Sequence, residues 1–200
     1  SRLSSQLEDT VKQENISLVN RVGSSMEVYL RNIMKLSDTI YYGIIKNVNL
    51  SEGSITEEMT LLYNNNKEQV LNIALISKEG QPISVVPASR FRKKFEVSKE
   101  EWFVNALNKT ENIHFTRPHV QKLFEKGNNS YRWVISMSRA VEITIGGSTE
   151  QAVLLIDMAY QGLDEVLDEV SLGNGGYIYL MDSNGEIIWH PKFELIASGR

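Results

Sequence analysis

Cysteine is absent from these 200 residues. That excludes a disulfide framework, a thiolate zinc site and a cysteine nucleophile. Histidine is nearly as scarce: His114 and His119 flank Arg117-Pro118 and His190 lies far downstream, which is not the spacing of a metal site. Basic residues are in deficit, with 21 Lys and Arg against 25 Asp and Glu and a formal net charge of −4. Such a balance gives no long-range attraction for nucleic-acid phosphates or anionic headgroups, so no nucleic-acid partner is expected. No run approaches the roughly 18 uncharged apolar residues that a membrane span needs, and Ser1-Arg2-Leu3-Ser4 is not a signal peptide. A Gly-rich phosphate loop and a nucleophile elbow are missing too; Gly173–Gly176 lacks their spacing and reads as a turn. No Ser, His and Asp grouping can be assembled from local spacing, so the chain is read as a binding domain without catalytic residues, cofactor or metal. Four Asn sequons, at Asn15, Asn49, Asn108 and Asn128, are what chance gives in an asparagine-rich chain.

What is present is an ordinary globular composition, with 42% apolar and 23% charged residues. From Leu3 to Ile44 apolar residues recur at steps of three, four or seven with no proline before Asn49, which predicts one long helix over residues 1–50. Its length, about 60 Å or more at 1.5 Å per residue, exceeds a compact domain of this size. Part of it either lies along the domain or pairs with a second copy as a coiled coil. A second helix is expected from Ser54 to about Asn64, with Ser54 and Glu57 as a capping box, and a third over Lys99–Asn108, capped by Ser98 with Glu101.

Between and after these helices the period changes to two. Val70–Ser77 and Pro82–Val86 flank the turn Lys78-Glu79-Gly80-Gln81 as a hairpin. Strands are expected at Ile113–Thr116, Tyr131–Ile145 and Gln151–Asp157, the last two joined antiparallel through Gly146-Gly147-Ser148, and a helix over Gln161–Val170. The order describes an α+β domain, an antiparallel sheet with helices on its faces. After the glycine turn, Tyr177–Met181 and Glu186–His190 repeat the first hairpin in miniature, as the opening of a second, related domain. The organisation is therefore read as 1–50 helix, 51–170 first domain and 171–200 opening hairpin of the second, in a segment of a longer protein.

Polar and aromatic residues gather at strand ends: Trp102, Phe103, Arg117, His119, Trp133, Arg139, Asp157 and Tyr160. Aromatic walls with a few convergent charges are what a small-molecule pocket requires. Asp157 stands out because it ends the apolar run Leu154-Leu155-Ile156, where a carboxylate is costly unless paired or bound. It either holds a ligand amine or caps the helix that follows; Trp102 is either pocket wall or plain core.

These residues stand in a recognisable order. Glu101-Trp102-Phe103, the stretch Phe115–Val120, the stretch Val134–Arg139, Leu154–Asp157 and Gly175–Pro191 follow a long N-terminal helix, and together the chain resembles the double Cache sensor modules of bacterial receptors, most closely those of YesM-type sensor histidine kinases. The resemblance implies a membrane-distal, PAS-like Cache domain and the start of a membrane-proximal one. It further implies a small-solute ligand, pocket roles for Trp102, Phe103 and Asp157, an extracellular position in a membrane-anchored receptor, and a homodimer through the N-terminal helix. The alternatives are a chemotaxis receptor carrying the same module and a protein-interaction domain. The amino-acid-binding version of the family has Arg two residues before its Trp and Tyr after it. Here Glu100 and Phe103 stand in those places, so either Arg117, Arg132 or Arg139 meets a ligand carboxylate or the ligand is not a plain α-amino acid but a sugar, an amine or a peptide fragment.

Overall fold

The computed structural model describes residues 3, 5, 6, 28–116, 118–125 and 131–160, together with the backbone of 180–181 and 187–189. The chain forms two compact units, Asn32–Gly162 and, separately, Ser1–Arg31 with Leu163–Arg200. In the latter, residues 28–31 are helical and Leu180–Met181 pairs antiparallel with Ile187–Trp189, where the second hairpin is expected. No helix among the described residues is long and apolar enough to cross a membrane.

The larger unit begins with α1, residues 32–47, whose α-helical start passes into a π-helical turn at Thr39–Ile44 and a 3-10 turn at Ile45–Asn47. A spacing of four from Ile40 places the next inward residue at Ile44. In the structure Ile44 is only half-buried and Ile45 is buried instead. The wider π turn adds one residue per turn and so shifts the buried stripe by one position.

α2 spans Thr56–Asn65. Its N-cap is Ile55, with no side-chain capping bond; Ser54, expected to cap it, lies one residue earlier and accepts from the Thr56 N–H at 3.2 Å. Ser98, expected to cap the next helix, lies within a 3-10 turn over Val97–Lys99; α3 runs Glu101–Asn108 from an N-cap at Glu100 with no side-chain capping bond.

The sheet follows the period-two pattern. Its strands are β1 Val70–Ser77, β2 Pro82–Val86, β3 His114–Phe115, β4 His119–Val120, β5 Trp133–Ile145 and β6 Ser148–Ala159. They are hydrogen-bonded antiparallel in the order β2-β1-β6-β5-β3, with β4 also pairing β5. Gly146 and Gly147, at φ 56° and 83°, turn β5 into β6, the tight hairpin that needs positive φ at both central positions.

Alternation divides the sheet into two apolar faces. On one, Ala74, Ile76, Val153 and Leu155 pack with Trp102, Phe103 and Ala106 of α3 and with Leu123 and Phe124. On the other, which carries Ile73, Leu75, Leu154 and Ile156, α2 is tied to β2 by Thr56 Oγ1 and Ser84 Oγ at 2.8 Å, and α1 is tied to β5 by Arg139 and by the Tyr41 hydroxyl. This is the α+β, PAS-like architecture expected from the sequence, with a sheet covered on both sides.

Candidate functional site

Asp157 sits in β6 between Ile156 and Met158, with none of its surface accessible. It faces the α3 side, paired in register with Ser136 of β5 and Asn72 of β1. Three side chains donate to its carboxylate: Ser136 Oγ at 2.5 Å to Oδ1, and Asn72 Nδ2 and Gln121 Nε2, each at 2.9 Å, to Oδ2. Burial pushes this carboxyl above the usual carboxylate range; the Ser136 hydrogen bond, the charge His119 can carry, and the Asn72 and Gln121 hydrogen bonds pull it back without overcoming desolvation. Among the described residues its oxygens are met by side chains across the sheet; the helix expected over Gln161–Val170 lies outside them.

His119 of β4 reaches the same centre, its Nε2 lying 2.8 Å from Ser136 Oγ. Ser136 Oγ stands between Asp157 and His119 and gives its proton to the carboxylate. A nucleophilic triad needs the reverse, the imidazole between serine and acid. The Ser136 backbone is pinned at its N–H by Thr116 Oγ1, at 3.0 Å, so the whole chain of groups is fixed by the sheet.

Trp102 and Phe103 of α3 pack on the same sheet face beside Ala74 and Leu155, their rings edge to face with centroids 6.0 Å apart. The Ser138 hydroxyl donates to the Trp102 carbonyl at 2.6 Å and so fixes α3 on the sheet. Two buried polar atoms on this side have no partner among the described residues: the Asn72 amide oxygen and the Trp102 indole N–H. The first is an acceptor beside the carboxylate, the second a donor under the helix. Native buried polar groups are nearly always paired, so each of these two atoms calls for a partner, an ordered water included. Asp157, His119, Trp102 and Phe103 are thus brought to one sheet face.

The other expected residues fall elsewhere. Alternation along β5 turns Trp133 and Arg139 to the face opposite Ser136 and Ser138. There Arg139 Nη1 donates to Asp38 Oδ1 at 2.6 Å and Ser37 Oγ at 3.2 Å, with its guanidinium 5.1 Å from the Tyr41 ring centroid. Arg139 thus anchors α1 to the sheet. Tyr160 is buried just past the end of β6. Arg117 lies outside the described residues. Sequence reasoning missed Asn72, Gln121 and Ser136. The signal for two of them is legible in hindsight: Asn72 interrupts an apolar run and Ser136 alternates with Ile135 and Met137, polar side chains at inward positions of central strands.

No group of three or more His, Asp or Glu side chains suited to a metal ion exists among the described residues. The Cache domain profile matches residues 3–198, nearly the full length. The chain belongs to the Cache family. Among known proteins, this Cache domain is 19% identical over 188 residues to the methyl-accepting chemotaxis protein McpG of Pseudomonas putida, covering 94% of this chain and 28% of that receptor. The chain therefore spans about a quarter of the length of its curated relative. Its fold resembles the ligand-binding domain of the Campylobacter jejuni chemoreceptor Tlp3, solved with L-valine, at a TM-score of 0.69 and 17% identity over 96% of this chain and 75% of that one. It also resembles the ligand-binding domain of the Pseudomonas aeruginosa amino-acid chemoreceptor PctC, solved with GABA, at a TM-score of 0.64 and 16% identity over 95% and 79%.

Proposed function

We propose that this Cache domain is the extracytoplasmic, ligand-sensing part of a bacterial membrane receptor, and that it holds the cationic nitrogen of a small solute at Asp157. The observation that carries the reading is the buried carboxylate with an unpartnered amide oxygen, Asn72 Oδ1, beside it. An ammonium group meets both needs, giving the carboxylate an opposite charge and the amide oxygen a donor. The ligands named for the structural relatives, valine and GABA among them, share an ammonium group, which supports the same chemistry. The Asp157–Ser136–His119 order supports binding over catalysis, because the serine hydroxyl is spent on the acid and is fully buried.

The histidine-kinase resemblance in the sequence and the chemoreceptor relatives agree on the sensor and differ in the output. The chemotaxis output has in its favour a relative that matches 94% of this chain. Membrane anchoring and a homodimer through the N-terminal helix belong to the same proposal; most of that helix lies outside the described residues.

A thermal-shift screen of the purified domain against amines, amino acids, organic acids and sugars tests the reading, with Asp157→Asn as the control. A ligand at 100 times its Kd adds about 2.7 kcal/mol of stability. Stabilisation by nitrogen-bearing solutes that Asp157→Asn abolishes is the expected result. Hits that survive the substitution, or a folded domain that responds to none of these solutes, would overturn it.

A further inference from the structure

Arg92, Lys93 and Lys94 follow one another in a chain whose net charge is −4. The fold holds them on a tight turn, closed by the Phe95 N–H donating to the Arg92 carbonyl at 3.1 Å, with Lys93 and Lys94 at its two corners. The turn is tied to residues 123–125 by the Arg92 N–H on the Leu123 carbonyl at 2.9 Å and the Glu125 N–H on the Arg90 carbonyl at 2.8 Å. The Arg92 side chain is fixed as well. Its Nε donates to the Phe124 carbonyl at 2.8 Å, its Nη1 donates to the Tyr131 hydroxyl, and the guanidinium lies 4.0 Å from the Tyr131 ring centroid. Tyr131 is the one non-glycine residue with positive φ among the described residues, at 56°. A bulky side chain rarely adopts that backbone region, and strain of this kind persists where neighbouring contacts over-determine it, most often at ligand sites.

An open cavity of about 680 Å³ is bounded by Arg92, Lys93, Lys94, Phe95 and Glu125. That volume is in the range of small-molecule sites, about 300–1,000 Å³. Three cations face one carboxylate there. Lys93 and Lys94 are exposed and make no ion pair among the described residues, while neighbouring Glu96 is already paired with Lys99 at 2.6 Å. A guanidinium has five N–H donors, of which the bonds above use two, so Arg92 keeps donors for a ligand while its position is set in advance. Leu123 and Phe124 are buried in the core cluster with Trp102 and Leu155. That packed core lies between the cavity and Asp157, so a ligand here is not the solute held there.

We infer that this cavity is a second site, separate from the one at Asp157, for the phosphate group of a small phosphomonoester. Charge and shape both select that group. A phosphomonoester carries about −1.5 to −2 charges at pH 7, which matches three cations offset by one carboxylate, whereas a single carboxylate leaves positive charge unmatched. Its three terminal oxygens accept from three donors at once, and Arg92, Lys93 and Lys94 supply these from consecutive positions. Arg92 is the fixed donor, and the two lysines add the attraction. Inorganic phosphate alone fills little of the volume; the organic part of an ester occupies the rest, against Phe95.

Isothermal titration of the chain with glycerol 3-phosphate, glycerol, inorganic phosphate and succinate tests the site. Glycerol 3-phosphate is expected to bind, more weakly as salt is raised, and glycerol is not. Lys93→Glu with Lys94→Glu removes two charge-assisted contacts at exposed positions, so it should weaken glycerol 3-phosphate by about tenfold or more while the unfolding midpoint stays in place. Lys93→Gln with Lys94→Gln should give a smaller loss, and Asp157→Asn none. No binding of glycerol 3-phosphate, binding that survives the charge reversal, or binding lost in Asp157→Asn overturns the inference. Succinate binding as tightly as glycerol 3-phosphate overturns the choice of phosphate, and inorganic phosphate binding as tightly overturns the ester. None of these outcomes bears on whether Asp157 holds a cationic nitrogen, which the amine screen decides separately.

Discussion

Replacing Ser136 by alanine tests the charge balance around Asp157 most directly. The hydroxyl donates to Asp157 at 2.5 Å and meets His119 Nε2 at 2.8 Å, and it is fully buried. A hydrogen bond to an ionised group is worth about 1.5–3 kcal/mol and one between neutral groups about 0.5–1.5 kcal/mol. Because burial raises the carboxyl in the folded state, the folded protein holds a proton that the unfolded chain has released. Stability is then highest where the carboxyl is protonated in both states. It falls as pH climbs from the ordinary carboxylate range through the raised folded value, and is level above it. Removing Ser136 withdraws a donor that favours the ionised form and moves the folded value higher still. The cost of Ser136→Ala should therefore grow with pH across this window, by about 1 kcal/mol from end to end. Urea unfolding of both proteins at steps between about pH 4 and pH 9 measures it. Repeating the series in a His119→Gln background removes the neighbouring charge that opposes desolvation at Asp157. A cost that is constant with pH, or larger at the acid end, would refute the assignment of a raised, hydroxyl-supported carboxyl.

Arg139→Met should lower stability by about 1–2 kcal/mol, through the lost bonds to Asp38 and Ser37 and the lost contact with the Tyr41 ring. Asp38→Asn should cost less than about 1 kcal/mol because its side chain is 54% exposed, and denaturant midpoints distinguish the two. Gly80→Ala is expected to cost about 2 kcal/mol, since Gly80 has φ 83° and an added Cβ would lie 3.1 Å from Val97 Cβ. Gly147→Ala shares the φ of 83° but meets nothing within 4 Å, so it should cost about 1 kcal/mol; equal losses in thermal unfolding would show that the Val97 contact relaxes freely. Trp102→Ala should cost about 3–5 kcal/mol from the cavity it leaves. Trp102→Phe keeps most of the packing and loses the unpartnered N–H, so it should fold at a cost of about 1–2 kcal/mol and weaken any ligand that accepts from the indole, as titration calorimetry would report.

Local pattern alone was enough to place the main strands and their turns. Val70–Ser77 and Pro82–Val86 fall where the period-two pattern places them, and the Gly146-Gly147 pair sets the turn between the two longest strands. It also singled out Asp157, because an acid at the end of an apolar run is conspicuous without any knowledge of its partners. Trp102 and Phe103 were legible as an aromatic pair on one helix, and the structure lays that helix on the Asp157 face. The tertiary structure alone decided which polar side chains meet. Asn72 and Gln121 stand 85 and 36 residues from the carboxylate they hold, a pairing fixed by strand order and register, which no local pattern encodes. Register likewise turned Arg139 away from Asp157 and onto α1. Successive residues of a strand point to opposite faces, so three positions separate Ser136 in the site from Arg139 on the other side of the sheet. The π turn moved the buried stripe of α1 by one residue for a comparable reason. A helix reports its period locally, but its departures from that period follow from what it must pack against.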